Sequence, residues 1–376
     1  MNINIKKQDI LNALLLVNNI IQSSGLNPIL SNILFIVNND TIDLIGANDS
    51  VAIKTTTKNN TMNAKEEKML INGELITKLI EKSNNDEISI DLVEEKVARI
   101  KSGRFTSNIN LSNPDDYPRY DFDVSNKNRT QIKSEFINQI ATKLLKVTNN
   151  KNSNVGKMFE GILLDTKIKP GTIVATGTDT FHLAAISDEY QGDNFRIIIN
   201  QESIRLLNAQ LKNKMVDLYI GNNDRILVKN DNITYNSKLI EGEYPSTLKI
   251  TSVATESLTT NFTINKKDFI NSVEKALLIS TSEINKTNVI QIIVNENQIK
   301  ISGQNIEKGN SYEEIGIVGK SEREATIILS ATSLLNLLKN IDSGEVTFSY
   351  DNPSSPIYIT DNKNKNYISL IMPTRN

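Results

Sequence analysis

Apolar residues recur along this chain in two helical patterns, and each pattern occurs three times. The first occurs as "IKKQDILNALLLV" from Ile5, "IKSEFINQIATKLL" from Ile132 and "INKKDFINSVEKALL" from Ile264. The second occurs as "INGELITKLI" from Ile71, "INQESIRLLNAQL" from Ile199 and "LSATSLLNLLKNI" from Leu329, at intervals of 128 and 130 residues. Because two unrelated patterns share one spacing, the chain is predicted to hold three copies of one domain.

Each copy is predicted to have the element order β-α-β-β-α-β-β. In the first copy the short strand "MNINI" precedes a helix over residues 7–20, and a second helix covers residues 73–82. An apolar period of about 3.6 residues gives each helix one buried face, on which Leu15 and Leu75 are expected. Alternating apolar residues around the helices predict antiparallel strands, so the predicted fold class is α+β.

Two polar stretches without periodicity separate the copies, at residues 123–130 and 251–260. They place the domain limits near Lys127 and Glu256. The three predicted domains are therefore residues 1–127, 128–256 and 257–376.

The composition is that of a folded protein without a general basic character. Of the 376 residues, 38% are hydrophobic and the net charge is −2, which excludes a strongly basic nucleic-acid binder but leaves room for a local basic surface. The absence of cysteine excludes disulfides and thiolate metal sites. The first residues lack the apolar core of a signal peptide, and no apolar run approaches the ~18 residues of a membrane span. A cytoplasmic protein without membrane contact is expected.

Patterns typical of catalysis are weak in this sequence. The single histidine, His182, lies in an apolar strand pattern and is expected to be a buried structural residue. The segment "GIVGKS" (316–321) lacks one glycine of a phosphate-binding loop, because Glu314 occupies its place, and is expected to be a turn. No catalytic residue, metal or cofactor is predicted. A non-catalytic protein is favoured over an enzyme that acts on nucleic acid.

Basic residues lie on the polar faces of the predicted helices in all three copies. Any one of them is better explained as an ordinary solvated residue, but their recurrence in all three copies favours contact with phosphates. Aromatic residues that could stack on bases are not interleaved with them, which favours duplex DNA over single strands. The residues predicted to face DNA are Lys78, Lys82, Lys143, Lys146, Arg205, Lys212, Lys267, Lys275 and Lys339.

Several segments resemble the bacterial DNA polymerase III β subunit, or β sliding clamp, family. They are "LNPILSNILFIV" (26–37), "SGRFTSNINLSNPDDYP" (102–118), "VATGTDTFHLAA" (174–185), "SKLIEGEYPS" (237–246) and "YISLIMPTRN" (367–376). The resemblance covers the whole chain. It implies a head-to-tail homodimer in which six domains form a closed ring, with helices lining the inside and antiparallel sheets outside. Such a ring encircles double-stranded DNA without sequence preference and tethers the replicative polymerase for processive synthesis.

The resemblance also implies two sites for partners. A groove between the second and third domains accepts short apolar peptides of the DNA polymerase III α subunit, the clamp loader and repair proteins. For the dimer interface, Phe105 is expected to pack towards Leu278 and Ile279 of the neighbour. The groove residues are expected to be Thr178, Phe181, Leu183, Pro245, Ile250, Leu370, Met372, Pro373 and Arg375.

Several positions depart from the family pattern. Phe181 and His182 stand where family members often have His and Arg, and Thr374 stands where a second Met is common. On the DNA side, Ser24, Glu74 and Glu202 fall where basic residues are common. These departures keep open an alternative, an accessory or divergent clamp-fold scaffold without a principal role in replication.

Overall fold

A computed structural model describes most of this chain. The described residues are 2–21, 27–62, 66–125, 127–148, 156–210, 214–220, 224–245, 255–281, 288–321 and 324–374. Within them lie three successive sets of strands and helices, which correspond to the three predicted copies.

The elements have the following bounds. The first copy contains β1 (Asn2–Lys6), α1 (Lys7–Asn18), β2 (Asn32–Asn38), β3 (Thr41–Ala47), β4 (Val51–Lys58), β5 (Glu67–Asn72), α2 (Gly73–Glu81), β6 (Glu87–Glu94), β7 (Val97–Ser102) and β8 (Phe105–Asn110). The second contains β9 (Asn128–Lys133), α3 (Ser134–Gln139) with a π-helical turn over Ile140–Leu144, β10 (Gly161–Asp165), β11 (Thr172–Thr178), β12 (His182–Glu189), β13 (Arg196–Asn200), α4 (Gln201–Gln210), β14 (Met215–Ile220), β15 (Arg225–Asn230) and β16 (Ile233–Lys238). The third contains β17 (Thr260–Asn265), α5 (Lys266–Ser280), β18 (Val289–Val294), β19 (Gln298–Asn305), β20 (Gly309–Gly316), β21 (Val318–Lys320), β22 (Ala325–Ser330), α6 (Ala331–Leu338), β23 (Glu345–Tyr350), β24 (Ile357–Asp361) and β25 (Asn364–Ile371).

The strand order repeats in every copy. The first copy has the orders β1-β6-β7-β8 and β5-β2-β3-β4, the second β9-β14-β15-β16 and β13-β10-β11-β12, and the third β17-β23-β24-β25 and β22-β18-β19-β20. The predicted α+β class with three tandem copies is confirmed. Each copy has more strands than the predicted order, because strands such as β5 run directly into a helix and single apolar runs fold into hairpins. The segment "GIVGKS", expected to be a turn, instead ends β20 and forms β21.

The chain divides into two compact units, and the second copy is shared between them. The first unit consists of residues 1–134 and 205–239. It contains the four-stranded sheet β1-β6-β7-β8 and the eight-stranded sheet β5-β2-β3-β4-β16-β15-β14-β9. The eight-stranded sheet is continuous because β4 of the first copy pairs antiparallel with β16 of the second.

The second unit consists of residues 135–204 and 240–376. Its larger sheet has the order β13-β10-β11-β12-β25-β24-β23-β17-β21, and its smaller sheet is β20-β19-β18-β22. Here β12 of the second copy pairs antiparallel with β25 of the third. The domain limits at Lys127 and Glu256 stay predictions.

Buried stripes on the helices follow the 3.6-residue period more strictly than the sequence suggested. In α1 the buried side chains are Ile10, Ala13, Leu14 and Val17, and in α2 they include Ile76 and Ile80. Leu15 and Leu75, expected on these faces, are 45% and 43% exposed, so that prediction is wrong. Each lies about 100° around the helix from its buried neighbour, which places it outside the stripe that meets the sheet.

A glycine on the second strand of each helix-facing hairpin lets the first helix of that copy approach the sheet. A Cβ on Gly46, Gly177 or Gly303 would lie 3.2, 3.0 or 2.1 Å from a helical carbonyl oxygen, that of Val17, Leu144 or Ala276 respectively. These three contacts align the copies residue by residue and identify equivalent positions in them.

The turn two residues after each glycine is also built the same way. The side-chain oxygens of Asn48, Asp179 and Asn305 each accept hydrogen bonds from the backbone N–H groups two and three residues further on, at 2.8–3.2 Å. Asn and Asp favour such turns because their short side chains replace a backbone acceptor. The repeat is therefore conserved in its turn chemistry as well as in its strand order.

We expect Gly303→Ala to lower the free energy of unfolding by about 1–3 kcal/mol, because the new Cβ collides with a backbone oxygen that cannot rotate away. Gly344→Ala is the matched control, since a Cβ there meets nothing within 4 Å. Urea unfolding of the two variants measures the difference. Equal stability of both would show that the helix does not depend on this close approach.

Candidate functional site

Four of the nine predicted groove residues lie on one face of the β12–β25 ladder and its extension. Leu183 stands opposite Leu370, and Ala185 stands opposite Ile368. The backbone N–H of Met372 donates to the carbonyl oxygen of Phe181 at 2.8 Å, which extends the same ladder by one pair. Alternate residues of a strand share a face, so Phe181, Leu183, Leu370 and Met372 point to the same side.

Exposure of this apolar row increases towards its end. Leu183 and Leu370 are only 4% and 7% exposed, whereas Phe181 is 66% and Met372 37% exposed. Leu183 and Leu370 belong to an apolar cluster that also contains Val174, Ala185 and Tyr358. These three residues were not predicted as part of the groove. The spacing of apolar residues in β11 and β24 gives no sign that they meet at this seam. The result is an apolar floor with two exposed rims.

A cavity continues along the same face of the sheet. Its volume is about 670 Å³, and its lining includes Val174, Ala185 and Ile368 together with threonine and asparagine side chains of β17, β23 and β24. The apolar floor thus passes into a hydroxyl-rich surface. Pocket space is available beside the cross-strand row in the second unit.

The loop before β12 is tightly held. Thr178, predicted to line the groove, is buried and donates its hydroxyl proton to the carbonyl oxygen of His182 at 2.7 Å. Thr180 has φ 80°, a conformation that costs a β-branched residue of order 1–3 kcal/mol. This strained residue directly precedes Phe181 and sets the direction in which the aromatic rim projects.

His182 is buried, as predicted, and its Nδ1 lies 2.8 Å from Asp179 Oδ1. Burial by itself would raise the pKa of Asp179. The His182 ring and the N–H groups of residues 181 and 182 outweigh burial, so the pKa lies below its usual value. Asp179 therefore stays charged and fixes the loop.

Of the remaining predicted groove residues, Pro245 is exposed and Pro373 half-buried. Pro245 follows Tyr244, whose buried hydroxyl donates to the carbonyl oxygen of Thr176 at 3.2 Å on β11. Ile250 and Arg375 lie outside the described residues.

The equivalent seam in the first unit has a different surface. There β4 and β16 place Ala52 opposite Asn236, and the face carries Tyr120 and Phe122 from the segment that follows β8. Asn236 donates to the carbonyl oxygen of Asp121 at 2.6 Å, which ties that segment down. The first seam is covered by its own chain, whereas the second exposes two apolar rims.

Two edge strands lack the partner that their equivalents have. β4 and β12 are equivalent to β20, and β16 and β25 are equivalent to β8, yet within the described chain β20 pairs only with β19 and β8 only with β7. Unpaired edges expose rows of N–H and C=O groups that readily accept another strand. These two edges are complementary by position in the repeat.

Apolar side chains are exposed at both edges. Phe105 on β8 is 45% exposed, and near β20 Leu278, Ile306 and Tyr312 are 71%, 103% and 67% exposed. Ile279, the other residue predicted at the interface, is half-buried on α5. Ile306 and Tyr312 were missed, because a polar hairpin sequence gives little reason to single them out.

A cavity of about 200 Å³ opens beside β20. It is lined by side chains of α5, β19 and β20, which are Ser272, Lys275, Ala276, Ile301, Ser311, Tyr312 and Glu313. Its apolar base and exposed position suit an aromatic side chain from outside.

Four of the lysines predicted to face DNA are paired with carboxylates of the same chain. Lys78 pairs with Glu74, Lys143 with Asp342 at 2.5 Å, Lys275 with Glu313 at 2.9 Å and Lys339 with Glu274 at 2.9 Å. Hydrogen bonds from Ser272 and Lys275 hold the pKa of Glu313 below its usual value, so this partner stays charged. Much of the predicted positive charge is thereby balanced.

The other predicted DNA-facing residues differ in their surroundings. Lys82, Lys146 and Lys267 are exposed and have no carboxylate partner in the part of the chain that the structure describes. Arg205 is exposed on α4, the helix that also carries Glu202 in its first turn. Lys212 and Ser24 lie outside the described residues. No helix in the described ranges is long and apolar enough to cross a membrane.

Comparison with known proteins assigns the family. Residues 1–121, 132–246 and 252–375 match the models described as the N-terminal, central and C-terminal domains of the DNA polymerase III beta subunit. The chain belongs to this family. Its members include the β sliding clamps, so the resemblance stated from the sequence is confirmed.

Curated β sliding clamps are similar over nearly their whole length. The "Beta sliding clamp" of Halalkalibacterium halodurans is 23% identical over 370 residues, covering 93% of this chain and 92% of the relative. That of Streptococcus pneumoniae strain R6 is 25% identical over 390 residues, covering 99% and 98%. The three-copy architecture therefore accounts for the full length of these relatives.

Solved structures show the same fold. The DNA polymerase III subunit beta from Pseudomonas aeruginosa superimposes with a TM-score of 0.88 at 19% identity, covering 100% of both chains. The DNA polymerase sliding clamp from Bacillus subtilis gives 0.87 at 20% identity, covering 100% of this chain and 99% of that chain. The fold of the β sliding clamp is thus retained although four residues in five differ.

Proposed function

We propose that this protein is a DNA sliding clamp, a non-catalytic processivity subunit that encircles duplex DNA as a head-to-tail homodimer. The observation that carries the proposal is that strands of successive copies pair at two seams, whereas two equivalent edge strands have no such partner among the described residues. β4 pairs with β16 and β12 pairs with β25, while the equivalent strands β20 and β8 stand open at opposite ends of the sequence repeat. Pairing of β20 in one protomer with β8 in its partner completes the series.

Such pairing is heterologous, because two different surfaces meet. A heterologous interface builds either a closed ring or an open filament. Two protomers that pair at both ends close a ring of six domains, as the family resemblance implies. The three domains of each protomer are residues 1–127, 128–256 and 257–376.

Side-chain chemistry supports this contact. Phe105 on β8 is exposed in the single chain and can fill the cavity beside β20, next to Leu278 and Ile279. Buried aromatic anchors of this kind dominate the energy of many interfaces. Charge also matches, because exposed Lys101 and Arg104 flank β8 whereas Glu313 and Glu314 lie on β20. Complementary charge favours the head-to-tail orientation over like-to-like pairing.

The ion pairs that these lysines make within the chain are consistent with a ring that holds DNA by enclosing it. Each phosphate contact made by a cation adds affinity and salt dependence. Four of the nine predicted DNA-facing residues, Lys78, Lys143, Lys275 and Lys339, form ion pairs within the chain, which lowers the number of cations available to grip the backbone. A closed ring needs no strong grip, since DNA leaves only through an end, and weak contacts allow sliding.

The row Phe181, Leu183, Leu370 and Met372 is the proposed docking groove for partner proteins. Its exposed rims and apolar floor suit a short apolar peptide. The proposed partners are the DNA polymerase III α subunit, the clamp loader and repair proteins. Pro245, Ile250, Pro373 and Arg375 complete the proposed groove.

The function is tested on circular and linear duplex DNA. The clamp, loaded on nicked circular plasmid, should stay bound during gel filtration at moderate salt, and cutting the plasmid should release it within minutes. Ring closure gives this result because linear DNA offers ends. Equal retention on both forms would mean that the protein grips DNA, and retention on neither would contradict a clamp.

Phe105→Asp should convert the dimer into monomers and abolish retention on circular DNA, because a carboxylate would replace the aromatic anchor in a cavity whose Lys275 is already paired with Glu313. We expect the apparent dimer affinity to fall about 100-fold or more, which is typical of a lost hot-spot residue. Sedimentation velocity measures the change. Met62→Asp is the matched control, since Met62 is 81% exposed and belongs to the segment between β4 and β5, not to β8 or β20. A dimer unaffected by Phe105→Asp would exclude the β8–β20 contact.

Met372→Asp should weaken binding of the cognate replicative polymerase about 30-fold, because the groove rim becomes charged. Dimerisation and retention on circular DNA should not change. Val318→Asp is the control, because Val318 is 78% exposed on β21, outside the groove. Surface plasmon resonance and primer extension on primed circular DNA measure the two effects. If the wild-type protein does not make its polymerase processive, the accessory scaffold becomes the better assignment.

A further inference from the structure

Lys143 was selected from the sequence as a DNA-facing residue, but its contacts point elsewhere. Only 12% of its side chain is exposed, compared with 63% for Lys275 and 50% for Lys339. We propose that Lys143 is a positioning residue for the partner groove, holding the first helix of copy two against copy three beneath the β12–β25 seam. The inference rests on the proposed function for the role of the groove.

Copy three holds Lys143 at both its backbone and its side chain. The buried Asn340 donates its Nδ2 proton to the backbone carbonyl oxygen of Lys143 at 2.5 Å. Lys143 lies in the last turn of its helix, where backbone carbonyls run out of helical donors. The amide of copy three therefore caps the helix of copy two.

The side chain makes two further contacts with copy three. Its Nζ lies 2.5 Å from Asp342 Oδ2 and 5.5 Å from the centre of the Tyr367 ring. Asp342 is 68% exposed, so solvent weakens the ion pair, and the buried stem against Tyr367 supplies the more protected contact. Burial raises the pKa of Tyr367 to about 12, which keeps the ring neutral beneath the cation.

The segment that carries Asp342 is itself fixed to the turn before β25. Backbone N–H groups of Asp342 and Ser343 donate to Asp361 Oδ2 at 3.1 and 3.2 Å. Burial alone would raise the pKa of Asp361, but these N–H groups, with that of Lys363 and the Ser343 hydroxyl, hold it below its usual value. Lys143 is thus linked to the β24–β25 turn through Asp342 and Asp361, and to β25 itself through Tyr367.

The contacts between Lys143 and copy three affect the groove through strand β25. Tyr367 stands opposite Ile186 on the helix side of the ladder, and the neighbouring Ile368 and Leu370 face the groove side. Movement of Tyr367 therefore moves the strand whose next residues form the groove floor and whose Met372 forms a rim.

Equivalent positions do not repeat the arrangement. By the helix–glycine contacts, Lys143 corresponds to Leu16 in copy one and Lys275 in copy three. Leu16 has no charge, and Lys275 pairs with Glu313 of its own copy. Lys143 therefore joins two copies under the seam that carries the exposed apolar row.

The proposal is tested by hydrogen exchange of the full-length protein. Lys143→Met keeps the stem but removes the charge, and Asn340→Leu keeps the volume but removes the cap. Each should raise amide exchange in β25 and at Met372 about tenfold, because the ladder opens more often. Lys143→Arg should restore part of the protection. Lys146→Met is the control, because Lys146 is an exposed lysine one turn away, and it should leave exchange unchanged.

Binding to a short linear duplex separates this role from phosphate contact, because enclosure does not hold the protein there. Lys146→Met should weaken binding to the short duplex and lower its salt dependence, whereas Lys143→Met should match the wild type. Unchanged exchange with weaker and less salt-dependent duplex binding in Lys143→Met would overturn the proposal. If the wild-type protein retains no DNA, the clamp function fails, yet the exchange comparison still decides whether Lys143 positions the groove. If Lys143→Met does not fold, Asp342→Asn removes only the charge of the partner carboxylate. Amide exchange at the wild-type level in both single variants, Asp342→Asn and Asn340→Leu, would then also overturn the proposal.

Discussion

Antiparallel pairing between strands of successive copies is the interaction on which the rest of this structure depends. β4 with β16 and β12 with β25 convert separate small sheets into continuous ones. Each pairing satisfies an edge that would otherwise expose backbone N–H and C=O groups. It also fixes the cross-strand partners, because a slip of one residue would turn every side chain to the opposite face. The apolar row Phe181, Leu183, Leu370 and Met372 exists only in the register that places Leu183 opposite Leu370.

The two faces of the β12–β25 ladder have different surroundings. One face bears the apolar row that ends in the exposed Phe181 and Met372, and the other is packed beneath the helices. Close approach at Gly177 brings the helix onto that inner face, and Asp179 holds the loop that aims Phe181. Backbone strain at Thr180 sits between these two fixed points. Strain of this kind persists only where surrounding contacts determine the conformation.

Several lysines on the helices contact carboxylates of the same chain, so their charge is partly balanced before any ligand binds. Lysines on α2, α5 and at the ends of the helices form pairs within the chain, several of them exposed and individually weak. They lower the positive charge available to phosphates without adding much stability. A clamp that holds DNA topologically tolerates this arrangement, because retention depends on closure of the ring and not on the number of contacts.

The amino-acid sequence was sufficient to predict the three copies and the α+β class, because apolar periodicity and turn residues are local signals, and it indicated the family through the resemblance of several segments. It also located Phe181, Leu183, Leu370 and Met372, through the likeness of their segments to the family. Which apolar residues stay exposed could not be predicted from the helical pattern, as Leu15 and Leu75 show, since burial depends on the angle at which a helix meets its sheet. The same holds for Lys143, whose partners Asn340 and Asp342 lie almost 200 residues away. A lysine on a polar helix face has the same local sequence pattern whether it contacts solvent, phosphate or another copy. The contact it makes is therefore known only once the chain is folded.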